Sequence, residues 1–212
     1  MARIQNIGTC LCCQKTVNHQ AITRHLEECV KQHQIDTSTK NKPVDIYRIK
    51  LFAKPFWLYC DMPAKATLND LDDFLRATWL ECCGHLSAFM IQGRCYENSD
   101  KPIRQVFAKD MSFSYEYDFG STTELEGKVI AVYQGHLNKK VHLLARNNLP
   151  VIECGTCASL ADVICSMCLD VCCKKCRKKH RCGEDDDFML PVVNSPRMGV
   201  CGYTGEEEDF QD

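Results

Sequence analysis

An α+β fold, with a compact central sheet domain carrying one principal helix and small zinc-stapled fingers on either side, is what this 212-residue sequence predicts. Two observations carry that expectation. Between residues 44 and 150, strand-like segments with hairpin-length connections surround a single segment of helical period. Toward both ends, cysteine and histidine pairs stand at the separations that let a chain close on one tetrahedral ion.

Composition limits the alternatives. At 24.2 kDa and 45% hydrophobic residues the chain can build one ordinary core plus small satellites, not two large domains. Seventeen cysteines would suit a disulfide scaffold, but the count is odd and MARIQNIGTC lacks the apolar stretch of a secretory signal. Reduced thiols and a cytoplasmic location are therefore expected. No run approaches the roughly 18 apolar residues that span a bilayer, so no membrane partner is expected. The organisation follows: a CCHC-type finger over 1–34, a linker over 35–43, an α+β domain over 44–150, a double-zinc finger over 151–183 and an extended acidic tail over 184–212.

The front ligands are Cys10, Cys13, His25 and Cys29, in the pattern Cys-x2-Cys-x11-His-x3-Cys. His25 and Cys29 are four apart, so a helix from about Asn18 to His33 turns both to one side. Ile22 and Leu26 share that period and offer a minimal apolar face, too small to hold some 30 residues folded without a metal. Cys12, His19 and His33 are left over. The polar stretch Lys31 to Pro43 reads as a linker, which leaves this finger loosely tethered.

In the central domain Val44 to Phe52 favours a strand with Tyr47, Ile49 and Leu51 on one face. Ala66 to Cys83 reads as the principal helix: Thr67 or Asn69 can cap it, Asp70, Asp72 and Asp73 complement its dipole, and Leu68, Leu71, Leu75 and Trp79 recur at helical spacing. Gly84 suits its end. Further strands are predicted at Ser87 to Ile91, Ser112 to Asp118 and Lys128 to Tyr133, punctuated by Gly93, Asn98, Asp100, Gly120 and Gly127. Cys82 and Cys83, at a helix end between apolar segments, read as buried structural thiols. The Gly120 to Lys128 stretch is not a phosphate loop, because its glycines are too far apart and Val129 stands where a hydroxyl is needed.

The strings LNDLDDFLRATWL, HLSAF and FSYEYDFGSTTEL resemble the plasmid pRiA4b open-reading-frame-three-like family, also called transposon-passenger TnpR-like proteins, over residues 44 to 150. The resemblance implies a compact α+β domain of largely unassigned role. Members continue past YDFG with an acidic residue, a Trp and a His. Here Ser121, Thr123 and Leu125 occupy those positions, so a site using them does not carry over. His85, Tyr117, Asp118 and Gly120 do match, leaving either a pocket at His85 and Asp118 or a turn set by Asp118 and Gly120 with His85 at a helix end.

At the rear, Cys154, Cys157, Cys165, Cys168, Cys173, Cys176, His180 and Cys182 make eight ligands for two zincs, three ions in all with the front site. An interleaved arrangement pairs Cys154, Cys157, Cys173 and Cys176 against Cys165, Cys168, His180 and Cys182; a sequential one remains open, as does Cys172 in place of Cys173. The order resembles B-box, HIT-type and MYND-type fingers, which are mainly interaction modules. Sulfur-rich shells with no open position predict structural zinc and no zinc enzyme.

Net charge is −2, yet six of the eight residues from Lys174 to Arg181 are basic: Lys174, Lys175, Arg177, Lys178, Lys179 and Arg181. Such a patch suits phosphates. The expected function is a non-enzymatic zinc-binding adaptor for nucleic acid or a nucleoprotein assembly. The alternatives are a protein–protein interaction module, using fingers and tail, or an uncharacterised enzyme with a pocket near His85 and Asp118; the apolar tail residues Val192, Val193, Met198, Val200 and Tyr203 suit a groove either of this protein or of a partner.

Overall fold

The computed structural model describes residues 6–33, 42–182 and 188–205. Most of the linker predicted over 35–43, and the acidic runs at 184–187 and 206–212, lie outside them.

The chain runs β1 (Ile7–Cys10), β2 (Thr16–Asn18), α1 (His19–His33), β3 (Val44–Ala53), β4 (Phe56–Pro63), α2 (Leu68–Leu75), β5 (Ser87–Ile91), β6 (Arg94–Tyr96), β7 (Ser112–Tyr117), β8 (Thr123–Gly135), β9 (His142–Asn147), β10 (Val163–Cys165), β11 (Val171–Cys172) and β12 (Met189–Pro191). The first nine strands form one antiparallel sheet in the order β2-β1-β9-β4-β3-β8-β7-β5-β6, and the last three a small sheet in the order β11-β10-β12. The α+β class holds, with the sheet as the larger partner.

The predicted principal helix is shorter than its sequence pattern. Thr67 caps α2 through a reciprocal box with Asp70, and Leu68, Leu71, Leu75 and Trp79 are buried as their spacing requires. After Leu75 the helix widens into a π-turn over Arg76–Leu80 and stops there, because Glu81 is extended. Gly84 therefore serves the following loop, with a φ of 75°.

β4 is missing from the sequence reading and buried throughout. Its residues alternate between two cores: Phe56, Leu58, Cys60 and Met62 face the α2 side, while Trp57 and Tyr59 pack with Ile22, Leu26 and Val30 of α1. A strand apolar on both faces shows no alternation and hides its type.

The front finger is not loosely tethered. β1 pairs with β9, and Cys10, Ile22, Leu26 and Cys29 share a core with Trp57, Tyr59, Leu144 and Ala145. Gly8 permits this, since a Cβ there would lie 2.2 Å from the Arg146 carbonyl oxygen. Gly127 likewise is no turn: it sits within β8 beneath the Phe113 ring, where a Cβ would come within 2.1 Å.

Residues 188–205 are not an extended tail. β12 joins β10 of the rear finger, and the chain then crosses onto the central domain. There Asn194 and Asn147 exchange hydrogen bonds, Ser195 Oγ donates to the Trp79 carbonyl at 2.5 Å, and Arg197 and Tyr203 are buried. Of the apolar tail residues Tyr203 is thus buried in this protein itself, and Asn194, Ser195 and Arg197 tie the strap that leads from the rear finger to the sheet domain.

Candidate metal centres

Three Cys-x2-Cys hairpins repeat one backbone device. In each, the first cysteine's carbonyl accepts from the amide four residues on, and its own amide donates to the carbonyl five residues on. The pairs are Gln14 to Cys10 and Cys10 to Lys15, Ala158 to Cys154 and Cys154 to Ser159, and Leu169 to Cys165 and Cys165 to Asp170. The residue after the second cysteine is left-handed in all three, with φ of 59° at Gln14, 55° at Ala158 and 63° at Leu169. That turn points both sulfurs to one side of the hairpin. Cys173 and Cys176 open a fourth pair with the Arg177 to Cys173 bond alone, and the chain then runs into a short 3-10 turn at Arg177–Lys179.

These hairpins assemble closed ligand groups. Cys10, Cys13, His25 and Cys29 meet at the front, with His25 and Cys29 delivered by α1; Cys10 and Cys29 Sγ are 3.8 Å apart and Cys13 Sγ is 3.4 Å from His25 Nε2. At the rear the grouping is interleaved: Cys154, Cys157, Cys173 and Cys176 form one set, and Cys165, Cys168, His180 and Cys182 the other. Cys157 and Cys173 Sγ are 3.6 Å apart, and Cys168 Sγ is 3.5 Å from His180 Nε2. Within each set the ligand atoms lie no more than 4.8 Å from one another. A tetrahedral ion with metal–sulfur bonds of about 2.3 Å has sulfur–sulfur edges of about 3.8 Å, so the spacing fits an ion and is far beyond a disulfide bond. All seventeen cysteines are free of disulfides. Cys172 is buried outside the quartet that Cys173 enters, and Cys12 stands outside the front group. His19 packs on the Trp57 ring with centroids 5.0 Å apart, and the His33 side chain lies outside the described residues.

The protonation of these sulfurs follows from their neighbours. Backbone amides of Cys173 and Thr156 lower the Cys154 thiol to about 6, whereas the hydrogen shared with Cys157 pushes Cys176 up to about 12. Four adjacent thiols cannot all ionise without a cation to absorb the charge.

A fourth group, absent from the sequence reading, gathers Cys82, Cys83, His85 and Cys201. Cys83 and Cys201 are exposed and Cys82 is half-buried, so Cys82 and Cys83 are not the buried structural thiols that the sequence suggested. Four Cys/His clusters able to hold a metal ion are thus present among the described residues.

His85 and Asp118 do meet, with Nδ1 3.5 Å from Oδ1. Asp118 also sets the predicted turn: it is left-handed at φ 64°, and its Oδ1 accepts the amides of Gly120 and Ser121. Its other oxygen takes Arg197 at 2.5 Å, a bond that holds the carboxyl at about 2. His85 Nε2 is directed at Cys83 and Cys201. Both carboxylate oxygens thus have partners within the protein, and the His85 ring stands between Asp118 and the sulfurs of Cys83 and Cys201.

Of the predicted phosphate-binding residues, Lys174, Lys175, Lys178, Lys179 and Arg181 are exposed and Arg177 is half-buried. Lys174, Lys175, Arg177 and Lys178 line one open depression of about 540 Å³. The front helix is less basic: its exposed Arg24 pairs with Glu28 at 3.7 Å, and Thr23 is tied to the Tyr59 hydroxyl at 3.0 Å. No helix is long and apolar enough to cross a membrane among the described residues.

No family model matches the chain, and no curated protein matches it. Among solved structures it is similar to the crystal structure of MM3350, a protein of unknown function from Methanosarcina mazei Go1, at 17% identity over 50% of this chain and 68% of that one, with a TM-score of 0.41.

Proposed function

We propose that this protein is a non-enzymatic zinc-binding adaptor whose rear finger engages nucleic acid or a nucleoprotein assembly. Sulfur-rich sets of four converging ligands suit Zn²⁺, which takes four-coordinate tetrahedral structural sites, with one ion in each of the three groups built on Cys-x2-Cys hairpins. The observation that carries the nucleic-acid reading is the depression lined by Lys174, Lys175, Arg177 and Lys178. Four cationic side chains around one concavity follow a phosphate backbone by charge, without reading bases. The resemblance of residues 44–150 to the pRiA4b open-reading-frame-three-like proteins belongs to the same proposal and contributes fold, not activity.

The test is fluorescence anisotropy with labelled duplex DNA and single-stranded RNA across a salt series. Wild-type protein binds at low salt with a steep salt dependence. The quadruple variant Lys174→Glu, Lys175→Glu, Lys178→Glu, Lys179→Glu, checked for unchanged zinc content, loses that binding. Salt-sensitive binding that survives the variant, or its absence from the wild type, would sink the reading.

A protein partner is the second reading, favoured by Leu160, Met167 and Leu169, which stand 66%, 62% and 57% exposed on the same finger. It predicts a salt-tolerant complex that is lost when these three become Ser and is indifferent to the lysine reversals.

A further inference from the structure

We propose that Cys82, Cys83, His85 and Cys201 form a fourth metal site, a zinc centre with three sulfur ligands and one nitrogen, which clasps the C-terminal strap to the central domain. This goes beyond the adaptor reading, which requires none of these residues.

Convergence is the first argument. The four ligand atoms lie within 4.8 Å of one another, as in the three hairpin-built groups. Cys83 Sγ is 3.7 Å from Cys82 Sγ, 3.6 Å from Cys201 Sγ and 2.9 Å from His85 Nε2, and Cys201 Sγ is 3.2 Å from the same nitrogen. The donor set repeats that of the front finger and of the second rear group, three cysteines and one histidine.

The surroundings of the ligands resemble those of a built site. His85 turns Nε2 toward the sulfurs and Nδ1 toward Asp118, 3.5 Å away. A carboxylate behind the distal nitrogen is the arrangement that fixes a metal-binding histidine in the required tautomer. Asp118 is in turn anchored by Arg197, whose guanidinium also donates to the Ser121 carbonyl and Thr123 Oγ1, lies over the Tyr117 ring and stands 3.6 Å from Cys82 Sγ. Three thiolates and a Zn²⁺ sum to one negative charge, and the Arg197 guanidinium, paired with Asp118, also lies 3.6 Å from the Cys82 sulfur.

Backbone geometry supplies an independent argument. Cys201 adopts φ of 50°, an uncommon conformation for a side-chain-bearing residue, between Gly199 at 83° and Gly202 at 71°. Three left-handed residues within four positions turn the strap so that Cys201 meets a cluster 116 residues away from it at His85. On the other side, the π-turn at Arg76–Leu80 ends α2 early, and Arg76 holds the next loop by donating to the His85 carbonyl at 2.7 Å and to Ser87 Oγ at 2.8 Å. Wide turns of this kind recur at functional sites.

Zinc is counted by native mass spectrometry on protein purified without added chelator. Cys201→Ser and His85→Asn each carry one zinc fewer than the wild type. Asp118→Asn keeps the full count but yields one ion to a competing chelator about 10–100-fold more readily. An unchanged count in Cys201→Ser overturns the proposal. Should that variant not fold, thiol alkylation of the native wild type decides. Cys83 and Cys201 protected until a chelator is added, while the exposed Cys95 reacts at once, supports the site; labelling of Cys201 as fast as Cys95 overturns it.

Discussion

Arg48 and Asp61 are buried at 3% and 0% exposure on neighbouring strands, joined by two parallel hydrogen bonds of 3.0 and 2.9 Å. The Tyr133 hydroxyl donates to Asp61 at 2.5 Å and accepts from Arg48 at 3.1 Å. Removing one charge strands the other in a low-dielectric interior, which costs more than the pair itself contributes. Asp61→Asn is expected to lower stability by about 3–5 kcal/mol in urea unfolding, and a loss below about 1 kcal/mol would show that Arg48 finds another partner. Gly8 acts by its lack of a side chain. Gly8→Ala drives a methyl into the Arg146 carbonyl and the Trp57 ring, so a cost of about 3 kcal/mol is expected. Faster exchange of the β1 and β9 amides would accompany it.

Among the elements, α2 depends on its first turn. Thr67 Oγ1 accepts the Asp70 amide at 3.1 Å and Asp70 accepts the Thr67 amide at 2.8 Å. Thr67→Ala should cost about 1 kcal/mol, read as a lower urea midpoint at unchanged slope. Burial opposes ionisation of Asp70, but hydrogen bonds from Lys140 and Thr67 outweigh it and hold the carboxyl below its usual range. A depressed carboxyl adds stability that is complete above the unfolded value, near pH 4, and lost as pH falls through the folded one. The stability gap between wild type and Asp70→Asn should therefore be level from pH 7 to about 5 and shrink below about 4. A gap that widens on acidification would reverse the sign of this account.

For the whole molecule, the candidate metal clusters are expected to carry unequal loads. The rear finger buries little beyond its cysteines, with Val163 and Ile164 as its apolar centre, whereas the front group rests on Ile22, Leu26, Val30, Trp57 and Tyr59. Chelation is expected to release amide protection across 154–182 first. The strands β3, β4 and β8, packed by α2 and its aromatic neighbours, should keep theirs. Hydrogen exchange read by mass spectrometry, before and after a strong chelator, checks this; simultaneous loss in both regions would mean that the sheet itself depends on metal.

Ligand spacing is local, so the three clusters built on Cys-x2-Cys hairpins could be read from the chain, as could the capped start of α2 and the strand at Ser87–Ile91. Interleaving of the rear ligands was legible as one of two pairings, and the structure adopts it. β4 was hidden because apolar residues on both faces erase the period that betrays a strand. The fourth cluster was hidden for a different reason. Cys82, Cys83 and His85 have no Cys-x2-Cys signature, and Cys201 is brought to them only when the strap is laid across the central domain by Asn194, Ser195 and Arg197. Local spacing by itself determined where the chain could fold around an ion, because a few neighbouring residues suffice to set two ligands. Only tertiary packing decided which distant segments meet, because burial and long-range hydrogen bonds, not sequence separation, bring Cys201 to His85.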